Sequence, residues 1–270
     1  NVQRPRAQPR TLQKRRLMRI LVQRYSALGD IALLLPVLAA LKRDQPAVEI
    51  HLVSRPFIKS LLGDLDIHFH AADLNDRHKG FIGLWKLAQT LKREIKPDLV
   101  IDAHNVLRSR ILNSFFRLMG LTVFRINKER AARKALVRRE NKIVQPLKHS
   151  SIKYAETLHR AGLQFNFSEK DTALYPLKED NSVSEVPSPT AKFHLGIAPL
   201  AKHKAKRYPL AQMEKVLAHF GANKDYHFYI FGGPEEVADL EELAQGGSNH
   251  FLGISKREEV EIISPNDQAN

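Results

Sequence analysis

Residues 19–36, RILVQRYSALGDIALLLP, decide the fold. The run RILVQ (19–23) has the length and apolar content of a strand, and a small-residue turn carries it into a second apolar run. The spacing predicts a helix over 29–44, kinked or delayed by Pro36, whose ring removes a helical hydrogen bond. A strand, a short turn and a helix open an α/β sheet, and in such sheets ligands sit at the carboxyl ends of strands. Asp30 stands at that place. It fits a helix cap, favoured there by the helix dipole. It also fits a general base held on rigid backbone, because a carboxylate placed beside a hydroxyl can take its proton. Gly29 would let the chain turn tightly and let a substrate approach the backbone.

Outward from this unit the chain alternates. Strands are predicted at 48–53 (VEIHLV), 67–72 (IHFHAA), 97–103 (PDLVIDA) and 121–126 (LTVFRI). SRPFIKSLL reads as a turn and short helix, and FIGLWKLAQTLKREI (81–95) has the i, i+3, i+4, i+7 spacing of an amphipathic helix. A helix over 105–120 ends at a glycine, a basic stretch follows, and SSIKYAETLHRAGL (150–163) reads as a helix with a serine cap. LKEDNSVSEVPSPTAK (177–192) is polar, rich in Pro and Ser, and reads as a linker. The alternation then restarts with a strand at 193–199, a helix at 208–221, a strand at 226–233 and a helix at 234–247. HFLG begins a further strand and SKREEVEII a further helix. The fold class is therefore α/β, with two domains of mostly parallel sheet. The predicted organisation is a basic tail over 1–17, a first domain over 18–165, a linker over 166–192 and a partial second domain over 193–270.

Composition narrows the function. The 270 residues contain no cysteine, which excludes disulfides, thiolate catalysis and Cys-based zinc sites. No apolar run reaches the roughly 18 residues that cross a bilayer, and no signal peptide is expected, so a cytoplasmic location is the default. The formal charge is +14, which points to an anionic partner: nucleic acid, a membrane surface or a phosphorylated substrate. Residues 1–17 carry six Arg and Lys and no acid. They read as sequence upstream of a start at Met18, or as a basic arm. No GxGxxG, GxxxxGK[ST] or G-x-S-x-G pattern appears. No HExxH or other closely spaced His/acid pattern appears either, so no metal and no cofactor are expected. The basic segment 128–142 lacks interleaved aromatics, which leaves nucleic-acid stacking without support.

Three further strand ends hold candidates. In DAHNVLRS (102–109), Asp102, His104 and Arg108 gather at the end of the fourth strand. In PLAKHKAKRYP (199–209), Lys202, His203, Lys204, Lys206 and Arg207 precede a helix start, where backbone N–H groups already favour anions; a solvated charge run is the plain alternative. In IFGGPEE, Gly232 and Gly233 permit close approach of a ligand. There Glu235 or Glu236 fits either a ribose contact or a helix N-terminus.

In this order, the four places resemble the lipopolysaccharide heptosyltransferases, the ADP-heptose glycosyltransferase family 9, over residues 18 to about 263. RYSALGDIALLLPVLAALK resembles the family's opening strand, Gly-Asp turn and proline-containing helix. PDLVIDAHNVLRS resembles its fourth-strand loop, GIAPLAKHKAKRYPLAQM its donor loop, and FGGPEE its ribose-contacting turn. The resemblance implies a GT-B fold of two Rossmann-like domains and an inverting transfer of heptose from ADP-heptose to a lipopolysaccharide core acceptor, with no metal. It implies that Asp30 is the catalytic base, that Lys206, with Lys202, holds the donor diphosphate, and that Glu236, with Glu235 as fallback, and the Gly232–Gly233 turn meet the ribose. The implied partners are ADP-heptose or a similar nucleotide sugar, an anionic lipid-linked saccharide and the inner face of the inner membrane, with no nucleic acid. Arg55, Lys59, His104 and Arg108, by charge and place, are candidates for the acceptor. The family's later Asp-Ser/Thr-Gly segment with a following histidine has no match after Ser264, so the resemblance implies an incomplete second domain, with loss of activity as one expected consequence. The alternatives are a GT-B transferase using another nucleotide sugar, and a non-catalytic basic protein on anionic membrane or nucleic acid.

Overall fold

The computed structural model describes residues 17–172, 192–201, 204–221, 223, 225–233, 236, 239–240, 243, 253–256 and 259–262. The sites predicted at Lys202 and Glu235, and most of the predicted linker, lie outside the described residues. The chain divides into two compact units, Asn1–Lys178 and Glu179–Asn270.

The first unit is built on β1 (Met18–Gln23), β2 (Val48–Ser54), β3 (His68–Ala71), β4 (Leu99–Asp102) and β5 (Thr122–Arg125). They form one sheet in the order β3-β2-β1-β4-β5, every neighbouring pair parallel, with Ile20 opposite both Ile50 and Leu99. Side chains alternate across a strand, and here both sides are apolar. Ile20, Val22, Ile50, Leu52 and Ile101 face one way. They pack beneath α1 (Leu28–Ala32), α2 (Leu35–Asp44) and α6 (Ser150–Arg160). Leu21, Val53 and Val100 face the other way, beneath α3 (Gly80–Ile95) and α4 (Leu107–Leu118). Burial on both faces is why these strands read as unbroken apolar runs.

The helix predicted over 29–44 is two helices. Pro36 falls in the first turn of α2, where its missing N–H costs nothing, so the chain breaks at Leu33 and Leu34 before it. The basic stretch after β5 contains α5 (Arg130–Leu136). Helix α6 has His149, not a serine, at its N-cap, with Ser151 Oγ 2.6 Å from His149 Nδ1. The packed part of this unit runs past 165. Asn166 N–H donates to Asp44, Arg43 pairs with Asp171, and a 3-10 turn covers Glu169–Thr172.

In the second unit β6 (Phe193–Ile197) and β7 (Tyr226–Ile230) are parallel and joined through α7 (Leu210–Gly221). Leu217, Phe228, Ile230, Leu240 and Leu243 form its core. The segment predicted as a last helix, SKREEVEII, instead supplies the end of β8 (Gly253–Lys256) and all of β9 (Glu259–Ile262), an antiparallel pair. Val260 and Ile262 alternate with acids, the two-residue period of a strand, and the expectation of helix overlooked that period. No helix among the described residues is long and apolar enough to cross a membrane.

Candidate active site

The carboxyl ends of β1, β4 and β5 gather one cluster of charged side chains. Arg24 is the residue after β1. Its side chain is 5 % exposed, while that of Asp30, its ion-pair partner at 2.5 Å, is 43 % exposed. The same guanidinium donates to Ala103 O at 2.5 Å and lies 5.5 Å from the centre of the Tyr154 ring. Arg24 thus ties the end of β1 to the loop after β4 and to α6, and presents the Asp30 carboxylate to solvent. Asp30 is not the N-cap of α1, which is Ala27; it is the third helical residue and accepts the Ala27 N–H at 3.5 Å, the reverse contact of a capping box. That helix-end contact and the base reading of Asp30 are compatible, because only one carboxylate oxygen is engaged by Arg24 and Ala27. Gly29 sits inside α1, and the space where its Cβ would stand is open for 4 Å.

Asp102 turns out to be structural. It is fully buried, with Oδ1 accepting the N–H groups of His104 and Asn105 and Oδ2 accepting from Ser109 and Asn113. Asn113 in turn meets Gln23, which accepts from the Tyr25 hydroxyl at 3.0 Å. A buried network so fully satisfied fixes the loop it supports. That loop carries His104, 8 % exposed, whose Nε2 lies 3.2 Å from Ser26 Oγ and whose Nδ1 is buried without a hydrogen-bond partner. Burial, with Arg24 and Lys128 adding repulsion, pushes the His104 pKa down to about 4. Lys128 is pushed down as well, by burial first and then by Arg24 and Arg130. Arg24 Nε is also buried and unpartnered. Both nitrogens lack a hydrogen-bond partner among the described residues, which is uncommon for buried polar groups.

Sequence reasoning placed Asp30 and His104 here and missed Arg24, Lys128 and Tyr154. Arg24 had a signal, a cation at the very end of a buried strand. Lys128 lay inside a basic stretch that resembled solvated surface, and Tyr154 arrives from a distant helix with no local cue. Arg108 is exposed on the first turn of α4, and its charge acts on Tyr25. Arg55 follows β2, with a buried and unpartnered Nε, and Lys59 is exposed on the 3-10 turn Pro56–Leu61. Neither is among the hydrogen-bond or ion-pair partners of Asp30 in the described residues.

The second unit has its own strand-end constellation. Phe231 N–H donates to Ile197 O at 2.7 Å, so the loops after β6 and β7 start side by side. The first holds Lys204 and Lys206 on a 3-10 turn, both exposed, and Arg207, whose Nε donates to Ala201 O at 2.5 Å. The second is the glycine turn. Glu236 Oε2 accepts the Gly233 N–H at 2.8 Å, and among the described residues none bonds its other oxygen. A Cβ on Gly232 would stand 2.2 Å from Leu240 Cδ1, so a larger residue there requires the Leu240 side chain to move. A Cβ on Gly233 would meet only Glu236 Oε2, at 3.6 Å. Cations beside a glycine turn and a carboxylate suit an anionic group carrying neighbouring hydroxyls.

A third grouping is unconnected with these. Glu49 and His51 on β2 and His68 on β3 bring one ligand atom each to within 4.8 Å of one another. Glu49 and His51 are a closely spaced acid/His pair that the sequence reading overlooked, and only the pairing of β2 with β3 brings in His68.

A family model described as glycosyltransferase family 9 (heptosyltransferase) matches residues 84–255. No curated protein matches the chain. Among solved structures, the chain is similar to a glycosyl transferase family 9 protein from Veillonella parvula (TM-score 0.62, 18 % identity, 90 % of this chain and 71 % of that one). It is also similar to the E. coli heptosyltransferase WaaC with ADP (TM-score 0.60, 13 % identity, 93 % and 78 %). The same enzyme with ADP-2-deoxy-2-fluoro heptose gives a TM-score of 0.61 at 14 % identity, over 88 % and 76 %. At these identities the likeness is one of fold, and the fold is GT-B.

Proposed function

The chain belongs to glycosyltransferase family 9, the heptosyltransferases, and from that premise we propose that it moves a heptose from ADP-heptose, or a similar nucleotide sugar, to an anionic lipid-linked saccharide, with inversion at the anomeric carbon. Asp30 is the base. It takes the proton of the acceptor hydroxyl as that oxygen bonds to the anomeric carbon and the bond from that carbon to the diphosphate oxygen breaks. The departing diphosphate gathers negative charge. Lys206, with Lys204 beside it, supplies fixed positive charge where that charge develops, and does so without requiring a divalent ion. Glu236 accepts from the ribose hydroxyls with its free oxygen.

Arg24 pairs with Asp30 and the charge of Lys128 is coupled to it, and this cationic setting favours an acceptor carrying phosphate or carboxylate. The net charge of +14 supports work at an anionic membrane surface, the inner face of the inner membrane. The observation that carries the reading is the Asp30–Arg24 pair, an exposed carboxylate fixed by a buried guanidinium at the carboxyl end of β1. The donor half is tested by calorimetric titration of ADP into the full chain and into Lys206→Ala. Saturable binding that weakens about tenfold in the variant, the loss of one charge-assisted contact, is expected. Absence of saturable binding by the folded full chain overturns the assignment of a nucleotide-diphosphate donor.

A further inference from the structure

The amino half of β2 and the adjoining strand β3 hold an arrangement unrelated to sugar transfer. Glu49 and His51 lie two apart on β2, so both project from the same face. His68 and His70 do the same on β3, and the register sets His51 opposite His68. The result is a carboxylate and three imidazoles in one patch. His51 Nε2 lies 3.1 Å from Glu49 Oε1, and His68 Nε2 lies 3.7 Å from that same oxygen. The His51 ring is stacked at 4.8 Å on His68 and tilted at 5.1 Å against His70.

We propose that Glu49, His51 and His68 form a zinc-type divalent cation site that clips the edge strand β3 to β2. Two imidazole nitrogens and one carboxylate oxygen are a donor set that zinc favours, with bonds near 2.0–2.2 Å. Ligand atoms sharing a tetrahedral ion at such bond lengths stand about 3.3 Å apart. The two distances to Glu49 Oε1 already bracket that value, and the exposed His68 ring closes the remaining side by rotation.

The surroundings are those of a supported site. Arg19 Nε holds the other carboxylate oxygen, Glu49 Oε2, at 2.9 Å and so fixes Oε1 toward the imidazoles. His51 Nδ1 is 2.9 Å from His70 Nε2. With the cation on His51 Nε2, the ring proton resides on Nδ1 and is donated to His70, the outer hydrogen bond that orients a ligating histidine. His68 is 54 % exposed, which gives the ion a route in and leaves a fourth position for water.

The test uses the full chain freed of metal with a chelator, titrated with zinc against a chromophoric competitor, beside His68→Ala and, as a milder second variant, His68→Gln. Thermal unfolding of each is followed with and without zinc. The expected result is one equivalent of zinc bound by the wild type. Both variants should bind at least tenfold more weakly, and zinc should raise Tm in the wild type alone. Metal-free Tm values should agree to within a degree or two, because His68 is half exposed. Wild-type binding well below one equivalent, or equal affinity in wild type and both variants, overturns the site.

Discussion

Asp30 keeps 43 % of its side chain exposed while Arg24 keeps 5 %, and that difference divides their work. In the proposed reaction the exposed carboxylate is the group that would meet the acceptor, while the buried guanidinium fixes where it stands. His104 supplies the residue-scale test of this environment. Its pKa in the folded chain is about 4, against an ordinary value of 6.5, because burial and nearby cations oppose the charged ring. The unfolded chain therefore binds the extra proton first, and the contribution of His104 is present in full above pH 6.5 and lost as pH falls toward 4. The urea midpoint of the wild type should fall over that interval, and His104→Asn should show a shallower fall. An identical slope in the variant contradicts the burial of a neutral ring.

At the scale of elements, two glycines that look alike in sequence differ in consequence. A Cβ on Gly83 in α3 would stand 2.5 Å from the backbone carbonyl carbon of His78, whereas one on Gly29 in α1 would meet nothing within 4 Å. Alanine is the better helix former by about 1 kcal/mol, but the overlap with backbone costs about 1–3 kcal/mol. Gly83→Ala should therefore lower the urea-derived stability, and Gly29→Ala should not. In Gly29→Ala the added methyl enters the space beside Asp30, so KM for the acceptor should rise. A Gly29→Ala enzyme with unchanged KM would show that the substrate does not use that space. The elements themselves were legible wherever a run was apolar on both faces, as in β1, β2 and β4. They were misread where length or period competed, as in the split at Pro36 and in the strand around Val260. The Asp30 corner was legible in part, because Asp30 and His104 follow strands. Arg24 and Tyr154 meet only through the packing of α6 on the sheet, and no spacing along the chain encodes that meeting.

For the whole molecule, each unit has a strand-end constellation of its own: a carboxylate among cations in the first, and cations beside a glycine turn in the second. The reaction proposed here needs both. A base that acts only in the transfer step should govern turnover and leave donor binding almost untouched. The decisive measurement is the rate of ADP release from ADP-heptose in the presence of a phosphorylated core acceptor, for the full chain and for Asp30→Asn, with the ADP affinity of both measured in parallel. The account predicts a fall in kcat of about 10²–10⁴-fold with ADP affinity unchanged within about twofold. Transfer by Asp30→Asn at the wild-type rate would contradict it, and the base would have to be sought elsewhere in the chain.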